Sequence, residues 1–284
     1  ELDAFGNMFA SYGTTLYKMS ESGTILNERT FSKEIIATAI SPDSTKLALT
    51  LKSGVMGQDS ILIVSTGDLS TLTSSDTTRT NAYILKWSPN GADLYANSPN
   101  DGIIQLDRDT LDEKAAYTNN HTGVMTCVDI SGVSGMVLTA DENGLVQLWD
   151  SDGGIKHQEI QIQSTILDCA FGDEDEFFSI STPTDGIRKW TLSGSELKPI
   201  DVHGAEKYHF TKTKNNVIIH KTTPTQHILV YDIFNEVIVD QVTLFHAFDD
   251  FVMLFDEDES MTNIITNTKV NYVVKYGSEI QRIG

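Results

Sequence analysis

Four of the seven histidines lie within one short stretch of the sequence, and their spacing could suit a metal site. His203, His220 and His227 flank connections that we expect at one face of the fold. Imidazoles that converge there could bind Zn²⁺ or change charge between about pH 6 and 7. The competing interpretation is three solvated loop histidines that lie too far apart to share an ion. We adopt that interpretation, so the sequence predicts no metal site and no cofactor.

Two acidic runs offer a second possible ion site, at residues 173–176 and 256–259. Clustered carboxylates can hold Ca²⁺, but both runs lack the glycine and the ligand spacing of a dedicated calcium loop. Each run falls in the turn between two predicted strands. We therefore interpret both as solvated turns.

Motifs for catalysis and nucleotide binding are missing from the sequence. It contains no GxSxG, GxxxxGK[ST], HExxH, GxGxxG or CxxC pattern. These patterns place a nucleophile, a phosphate or a zinc ion on a defined turn or helix. The sequence therefore predicts a protein that is not an enzyme.

The charge balance restricts the partners. The chain has 284 residues with 20 basic and 40 acidic side chains, a net charge of −20. Such a surface repels a phosphate backbone, and no run of lysine or arginine forms a basic patch. No apolar run is long enough to span a bilayer. We expect polar or basic protein partners, no direct contact with nucleic acid and no membrane insertion.

The two cysteines, Cys127 and Cys169, lie in apolar segments and are too few for a disulfide framework. We interpret them as buried thiols that pack as small hydrophobic side chains. With no leader sequence, they favour a cytoplasmic location. A processed or excised N-terminus leaves a secreted origin open.

The wider sequence is organised by a repeat. Apolar strand endings of one type recur every 41 to 45 residues. They end at Met19, Val64, Leu106, Trp149, Trp190, Tyr231 and Tyr276. Upstream of most endings lie two apolar segments joined by a polar turn rich in Pro, Asn, Asp and Gly, which is typical of a hairpin. Each unit therefore predicts four short antiparallel strands, and such units in series predict a β-propeller.

One unit carries a family resemblance. The segment from His121 to Asp150 ends in GLVQLWD and resembles a WD-repeat. The resemblance implies a hydrogen-bonded set inside the blade, made here by His121, Thr139, Asn143 and Trp149, with Asn143 in place of the usual aspartate. His246 matches His121 in the last unit, which ends on Tyr276 instead of tryptophan.

The period predicts an all-β, seven-bladed propeller of four-stranded antiparallel blades, with the first blade lacking its innermost strand. The chain is expected to form one domain over residues 1–284. The expected blades are approximately 1–33, 34–76, 77–118, 119–160, 161–201, 202–244 and 245–284.

A WD-repeat-like propeller implies a non-catalytic scaffold that binds a polar or basic protein or peptide through its top face or rim, as part of a larger protein or complex. In this family the residues just before each innermost strand line the top face. The matching positions are Glu34, Asn81, Val124, Thr165, Gly204 and Asp249. This set contains no aromatic anchor, so we expect modest affinity.

Two alternatives stay open. The chain could be a structural tile of a large assembly or coat. It could also be a propeller enzyme, a hydrolase or lyase, with acids that line its channel. Glu34 and Asp249 are the carboxylates of the predicted top face, but their blades are not neighbours, which disfavours an acid–base pair.

Overall fold

The computed structural model describes most of the chain as β-strands joined by turns. The described residues are 1, 3–20, 22–53, 59–80, 82–98, 102–117, 121–152, 154–172, 177–182, 186–197, 205–210, 216–221, 227–233, 235–243, 251–255, 261–266, 271–275 and 281–283. Among them there is no helix with the length and apolar character needed to cross a membrane.

The strands form small sheets in chain order. The first sheet contains β1 Met8–Tyr12, β2 Thr15–Met19 and β3 Ile25–Thr30. The second contains β4 Ile35–Ile40, β5 Lys46–Leu51, β6 Asp59–Ser65 and β7 Thr71–Thr80. The third contains β8 Leu85–Trp87, β9 Asp93–Ser98, β10 Gly102–Asp107 and β11 Glu113–Tyr117. The fourth contains β12 Met125–Ile130, β13 Met136–Asp141, β14 Leu145–Asp150 and β15 Lys156–Gln161.

The remaining sheets continue the pattern. The fifth contains β16 Asp168–Phe171, β17 Phe177–Thr182 and β18 Gly186–Thr191. The sixth contains β19 Ala205–Phe210, β20 Asn216–Lys221, β21 His227–Asp232 and β22 Val237–Thr243. The last contains β23 Phe251–Phe255, β24 Met261–Thr266, β25 Asn271–Lys275 and β26 Gln281–Ile283. Each strand pairs with its neighbours along the chain, so every sheet is a meander of the propeller-blade type.

The prediction of a seven-bladed propeller with one incomplete first blade is wrong. Within the described part of the chain, five sheets have the four strands of a complete blade, whereas the first and fifth have three. In the fifth sheet, Glu196 makes only an isolated bridge to Trp190, where a further strand was expected. A repeat period counts units along the chain, but it does not count the strands that pair within each unit. The structure supports a coarser description. The fold is an all-β, propeller-type arrangement of small antiparallel sheets, with five complete blades among the described residues.

The chain divides into two compact units. The first comprises Glu1–Thr139 and Leu148–His157, and the second comprises Ala140–Gln147 and Gln158–Gly284. That residues 1–284 form a single domain stays a prediction.

Strands inside a sheet are apolar on both faces. Residues 61–64 of β6 and residues 145–149 of β14 are buried without a break. A strand covered on both faces loses the alternation of apolar and polar residues. The outer strands β3 and β15 keep alternation between exposed and half-buried positions. This difference shows that the core lies against the inner and middle strands of each sheet.

The turns before the outer strands β7, β11, β15 and β22 each contain a residue in the left-handed backbone region. The φ angles are 61° at Leu69, 60° at Leu111, 69° at Gly154 and 58° at Glu236. Each of these residues follows its repeat ending by five positions. Leu69 and Leu111 are almost fully buried. Burial of the leucine side chain offsets a conformation that costs a residue with a Cβ roughly 1–2 kcal/mol.

Three aromatic rings form a buried ladder in the first unit. The Tyr117 ring centroid lies 5.9 Å from that of Tyr95 and 5.9 Å from that of Trp149. Burial raises the pKa of Tyr117 to about 12, and burial also raises the pKa of Tyr95. The Tyr117 hydroxyl therefore stays protonated at neutral pH and can donate a hydrogen bond.

Side-chain donors connect neighbouring sheets at one repeated position. Lys18 Nζ donates to the Thr66 carbonyl oxygen over 2.9 Å, and Lys189 Nζ donates to that of Ile233 over 3.1 Å. The Tyr117 hydroxyl lies 2.9 Å from the Ser151 carbonyl oxygen. Each accepting carbonyl follows its repeat ending by two residues and belongs to the sheet after that of its donor. We call these three contacts the staples.

The cysteines are not thiols. Cys127 and Cys169 are both buried and both disulfide-bonded. The interpretation as two free, packed thiols is wrong. Two cysteines are too few to read as a disulfide framework from the sequence, which is why a single bridge escapes that reasoning.

Candidate functional site

The innermost strands β4 and β8 lie side by side and run in the same direction. Trp87 Nε1, at the end of β8, donates to the Ala39 carbonyl oxygen of β4 over 3.0 Å. A Cβ placed on Gly91, in the turn after β8, would lie 3.5 Å from Cδ of Pro42, in the turn after β4, so the two turns lie close together. Because the C-terminal ends of the two strands meet, the segments that lead into the strands lie together at the opposite end.

The strand β12 joins this arrangement in the same way. A Cβ placed on Gly132, in the turn after β12, would lie 3.6 Å from Cβ of Pro89, in the turn after β8. Lys86 Nζ of β8 lies 2.6 Å from the carboxylate Oδ1 of Asp129 in β12, whose side chain is fully buried. We name the three segments that lead into β4, β8 and β12 the entry loops, comprising residues 31–34, 82–84 and 121–124.

The entry loops present an aromatic ring that the sequence analysis missed. Tyr83 is 42% exposed, and its hydroxyl donates to the Met125 carbonyl oxygen over 3.1 Å. The adjacent Val124 is 54% exposed. The hydrogen bond orients the tyrosine ring, and the exposed part of the ring is accessible to another molecule. Tyr83 follows Asn81 by two residues. An aromatic residue beside a predicted contact position was therefore the feature of the sequence that could have identified it.

The predicted top-face residues fall into two groups. Glu34, Val124 and Thr165 are exposed, Glu34 and Val124 in entry loops of the first unit and Thr165 before β16 in the second. Asn81, Gly204 and Asp249 lie outside the described residues.

The carboxylate of Glu34 already has a partner. Its Oε2 lies 3.6 Å from Lys52 Nζ, and both side chains are more than half exposed. The Lys52 backbone N–H also donates to the Glu34 carbonyl oxygen over 2.8 Å. An exposed ion pair of this kind contributes about 0–1 kcal/mol. A ligand cation could therefore replace Lys52 at little cost.

The histidines predicted for a rim cluster have different settings. His220 is buried within β20, opposite Ile228 of β21. His227 is half-buried at the start of β21, and His203 lies outside the described residues. Within the described part of the chain, no group of three or more His, Cys, Asp or Glu side chains could hold a metal ion. Both acidic runs also lie outside that part.

The WD-like set is joined through Thr139. Trp149 Nε1 donates to Thr139 Oγ1 over 2.9 Å, and His121 Nε2 lies 2.9 Å from the same oxygen. All three residues belong to the first unit, and Trp149 is almost fully buried. These bonds fix the segment before β12, and therefore the position of Val124. His246 lies outside the described residues.

The carboxylate of the turn after β13 is Asp141. Its Oδ1 accepts the backbone N–H groups of Asn143 and Leu145, each over 3.0 Å. The Asn143 carbonyl oxygen accepts a hydrogen bond from Gln161 Nε2 over 2.8 Å. The repeat predicted Asn143 as the polar residue of this turn, whereas Asp141, two residues earlier, supplies the carboxylate.

Comparisons with known proteins bear on the fold. No protein-family model and no curated protein matches the chain. Solved structures do match, and one is the crystal structure of the computationally designed Ika8 protein. It is 15% identical, with a TM-score of 0.72 over 95% of this chain and 80% of that chain. At this identity the likeness shows the fold alone, and a propeller fold is compatible with a protein-interaction scaffold.

Proposed function

We propose that the chain is a non-catalytic interaction scaffold that binds a protein partner at the entry loops. The observation that supports this most is the exposed ring of Tyr83, held by its hydrogen bond to Met125 and flanked by exposed Val124. Tyrosine is enriched among the residues that dominate binding energy, because it provides a large contact area with few rotatable bonds. The sheets behind the loops supply rigidity.

The partner is an extended segment with an apolar residue for the Tyr83–Val124 surface and polar or basic residues beside it. A net charge of −20 favours a basic partner and speeds its association. The displaceable Glu34–Lys52 pair offers one carboxylate for a basic side chain. We further propose that the chain is a divergent WD-repeat protein and acts within a larger complex, supported by the contacts of His121, Thr139 and Trp149.

Affinity capture with single variants tests the proposal. We expect Tyr83→Ala to reduce recovery of the partner by about tenfold or more, since a central aromatic anchor contributes 2 kcal/mol or more. Phe5→Ala is the matched control, because Phe5 is 81% exposed and its neighbour Ala4 donates to Ser44 Oγ in the turn after β4, at the opposite end of that strand from its entry loop. Equal recovery with both variants, with unchanged melting temperatures, would contradict the proposal.

The compartment needs a separate proposal, because the cytoplasmic expectation relied on free thiols. Disulfides persist in oxidising compartments and are rare in the cytosol. The bonded state of Cys127 and Cys169 therefore supports an oxidising compartment. Alkylation of the protein in intact cells, followed by mass spectrometry without reduction, tests this. Alkylated Cys127 and Cys169 would favour the cytoplasm instead.

A further inference from the structure

The first unit exposes apolar side chains at the end opposite the entry loops. They lie in four turns, one before β1 and one after each of the innermost strands β4, β8 and β12. These side chains are Phe5, Pro42, Pro89 and Val133. Phe5 is 81% exposed and Val133 is 73% exposed. Single exposed apolar residues are common on protein surfaces, so the arrangement of the four determines whether they form a site.

Contacts between the turns bring these four residues into one row. The turn of Pro89 lies close to Pro42, and the turn of Val133 lies close to Pro89. The backbone N–H of the residue before Phe5 donates over 2.9 Å to Ser44 Oγ, in the turn of Pro42. We name the four residues the apolar row. A contiguous exposed apolar surface is typical of an interaction site.

The backbone of these turns is hydrogen-bonded within the turns. The Ser44 N–H donates to the Ser41 carbonyl oxygen over 2.8 Å. The Gly91 N–H donates to the Ser88 carbonyl oxygen, also over 2.8 Å. Because these groups are engaged, the turns do not resemble the open edge to which a β-strand is added. We therefore expect recognition through side chains, as in the binding of an amphipathic helix.

Carboxylates lie beside the apolar row, in the turns before the outer strands β7, β11 and β15. Backbone hydrogen bonds join two of these turns to the turns of the row. The Thr66 N–H donates to the Thr45 carbonyl oxygen over 3.1 Å, and the Ser151 N–H donates to that of Gly135 over 2.9 Å. The exposed carboxylates of the three turns are those of Asp68, Asp112 and Asp152.

Basic side chains at this end of the unit already contact other acids. Lys46 Nζ and Arg108 Nε lie 3.3 and 3.4 Å from the carboxylate of Asp109. Lys114 Nζ lies 2.6 Å from Asp93 Oδ1. Among the described residues, the three exposed carboxylates form no salt bridge. They are therefore available to the basic side chains of a ligand.

The charge and the secondary structure of the chain restrict what binds here. A net charge of −20 favours a basic ligand and repels anionic lipid headgroups. The described part of the chain contains no α-helix, so that part of a second copy does not supply one. Two copies that each carry this charge also repel each other. These observations favour a helix from a basic partner protein.

We propose that this end of the first unit binds an amphipathic helix of a partner protein. The apolar stripe of the helix lies on the apolar row and supplies most of the affinity. Lysine or arginine side chains beside the stripe face Asp68, Asp112 and Asp152, which orient the helix and speed its association. The surface lies at the opposite end of β4, β8 and β12 from the entry loops, so it is separate from the binding proposed there.

A synthetic helical peptide with leucine along one face and lysine beside it tests the apolar row. We expect saturable binding in calorimetry and a gain of peptide helicity in circular dichroism. The double variant Phe5→Ala/Val133→Ala should weaken binding by about tenfold or more, equivalent to about 1.4 kcal/mol. Its melting temperature should equal that of wild type, because both side chains are largely exposed. Tyr83→Ala should bind the peptide normally, and Phe5→Ala should retain capture at the entry loops, so the two proposals fail separately.

Asp152→Asn tests the charged part of the surface. We expect it to weaken binding of the peptide by about two- to fivefold, as for the loss of one exposed ion pair. The difference from wild type should shrink at high salt. Glu28→Gln is the charge-matched control, because Glu28 is exposed on the outer strand β3 and lies outside these turns. Equal losses in both variants would mean that net charge alone attracts the peptide.

Several results would overturn this proposal. One is the absence of saturable binding, or equal binding by wild type and the double variant. Another is equal binding of a peptide with the same composition whose lysines interrupt the apolar stripe. A third is concentration-dependent dimerisation of the chain that the double variant abolishes, because it would assign the apolar row to a second copy. Binding to phosphatidylcholine vesicles that the double variant abolishes would assign the row to a membrane instead.

Discussion

Thr139 is the residue on which the WD-like set depends, because its hydroxyl meets both Trp149 and His121. Trp190 is a tryptophan for which this threonine is missing. It occupies the repeat position of Trp149, but Ile180 stands ten residues before it, where a threonine precedes Trp149. The indole Nε1 of buried Trp190 has no hydrogen-bond partner among the described residues. Spacing therefore located the threonine and the tryptophan, whereas the role of Asp141 depends on turn hydrogen bonds that spacing does not reveal.

Replacement of Thr139 by valine tests this residue. The variant removes the hydroxyl and leaves the ring nitrogens of buried Trp149 and half-buried His121 without that contact, so we expect a loss of about 1–3 kcal/mol in the free energy of unfolding. Thr50→Val is the matched control. Thr50 is fully buried, and its hydroxyl has no hydrogen-bond partner in the described structure. Valine there should be neutral or stabilising in urea denaturation, and equal losses for both variants would contradict the assignment.

Asp43 makes stability depend on pH at the acid end. A hydrogen bond from the Ser41 hydroxyl, over 2.6 Å, is the main cause that lowers the pKa of Asp43 below its ordinary 3.8. A lowered folded pKa adds stability above 3.8 that is lost as the pH falls through the folded value. Asp43→Asn should therefore be less stable than wild type at neutral pH, with a difference that shrinks in acid. Urea midpoints of both proteins measured from neutral pH into acid test this prediction, and a difference that does not shrink in acid would contradict it.

At the scale of elements, some of the turns could be predicted from the sequence and others could not. The hairpins follow from Pro, Asn, Asp and Gly between apolar segments, and the strands appear where these patterns predict them. The left-handed residues of the later turns were not predictable, because leucine at Leu69 and Leu111 gives no turn signal. Tertiary burial imposes that conformation. The number of strands in each sheet could not be predicted either. The outer strands pair through bulged registers, and the repeat period of the sequence does not contain this information.

The turn conformation makes an unusual prediction for Leu111. Both Leu111→Ala and Leu111→Gly remove a buried side chain, which costs about 2–5 kcal/mol. Alanine retains the Cβ that is unfavourable at a φ of 60°, whereas glycine does not. We therefore expect the glycine variant to be more stable than the alanine variant by about 1 kcal/mol in urea denaturation. The opposite order would mean that the turn relaxes. Leu49→Ala and Leu49→Gly, in the strand β5, should show the usual preference for alanine.

At the scale of the whole molecule, the disulfide-bonded state of Cys127 and Cys169 makes a prediction for stability. A disulfide restricts the unfolded chain and typically stabilises by about 2–4 kcal/mol. We expect a reducing agent to lower the urea midpoint of wild type. It should have no effect on a variant with both cysteines replaced by serine. A thiol titration in denaturant should find no free thiol before reduction, and reactive thiols at that stage would contradict the prediction.

The staples have a consequence for inserting sequence into this fold. The carbonyls of Thr66, Ser151 and Ile233 lie in turns before outer strands, and a donor from the preceding sheet holds each one. A peptide grafted into such a turn would move the carbonyl and disconnect two sheets. The turn between β1 and β2 has no staple, but its Thr14 and Gly13 carbonyl oxygens accept the backbone N–H groups of Phe31 and Ile35 over 2.8 and 2.9 Å. A graft there would therefore disturb the segment that leads into β4, so the backbone oxygens of a turn determine which part of the molecule an insertion disturbs.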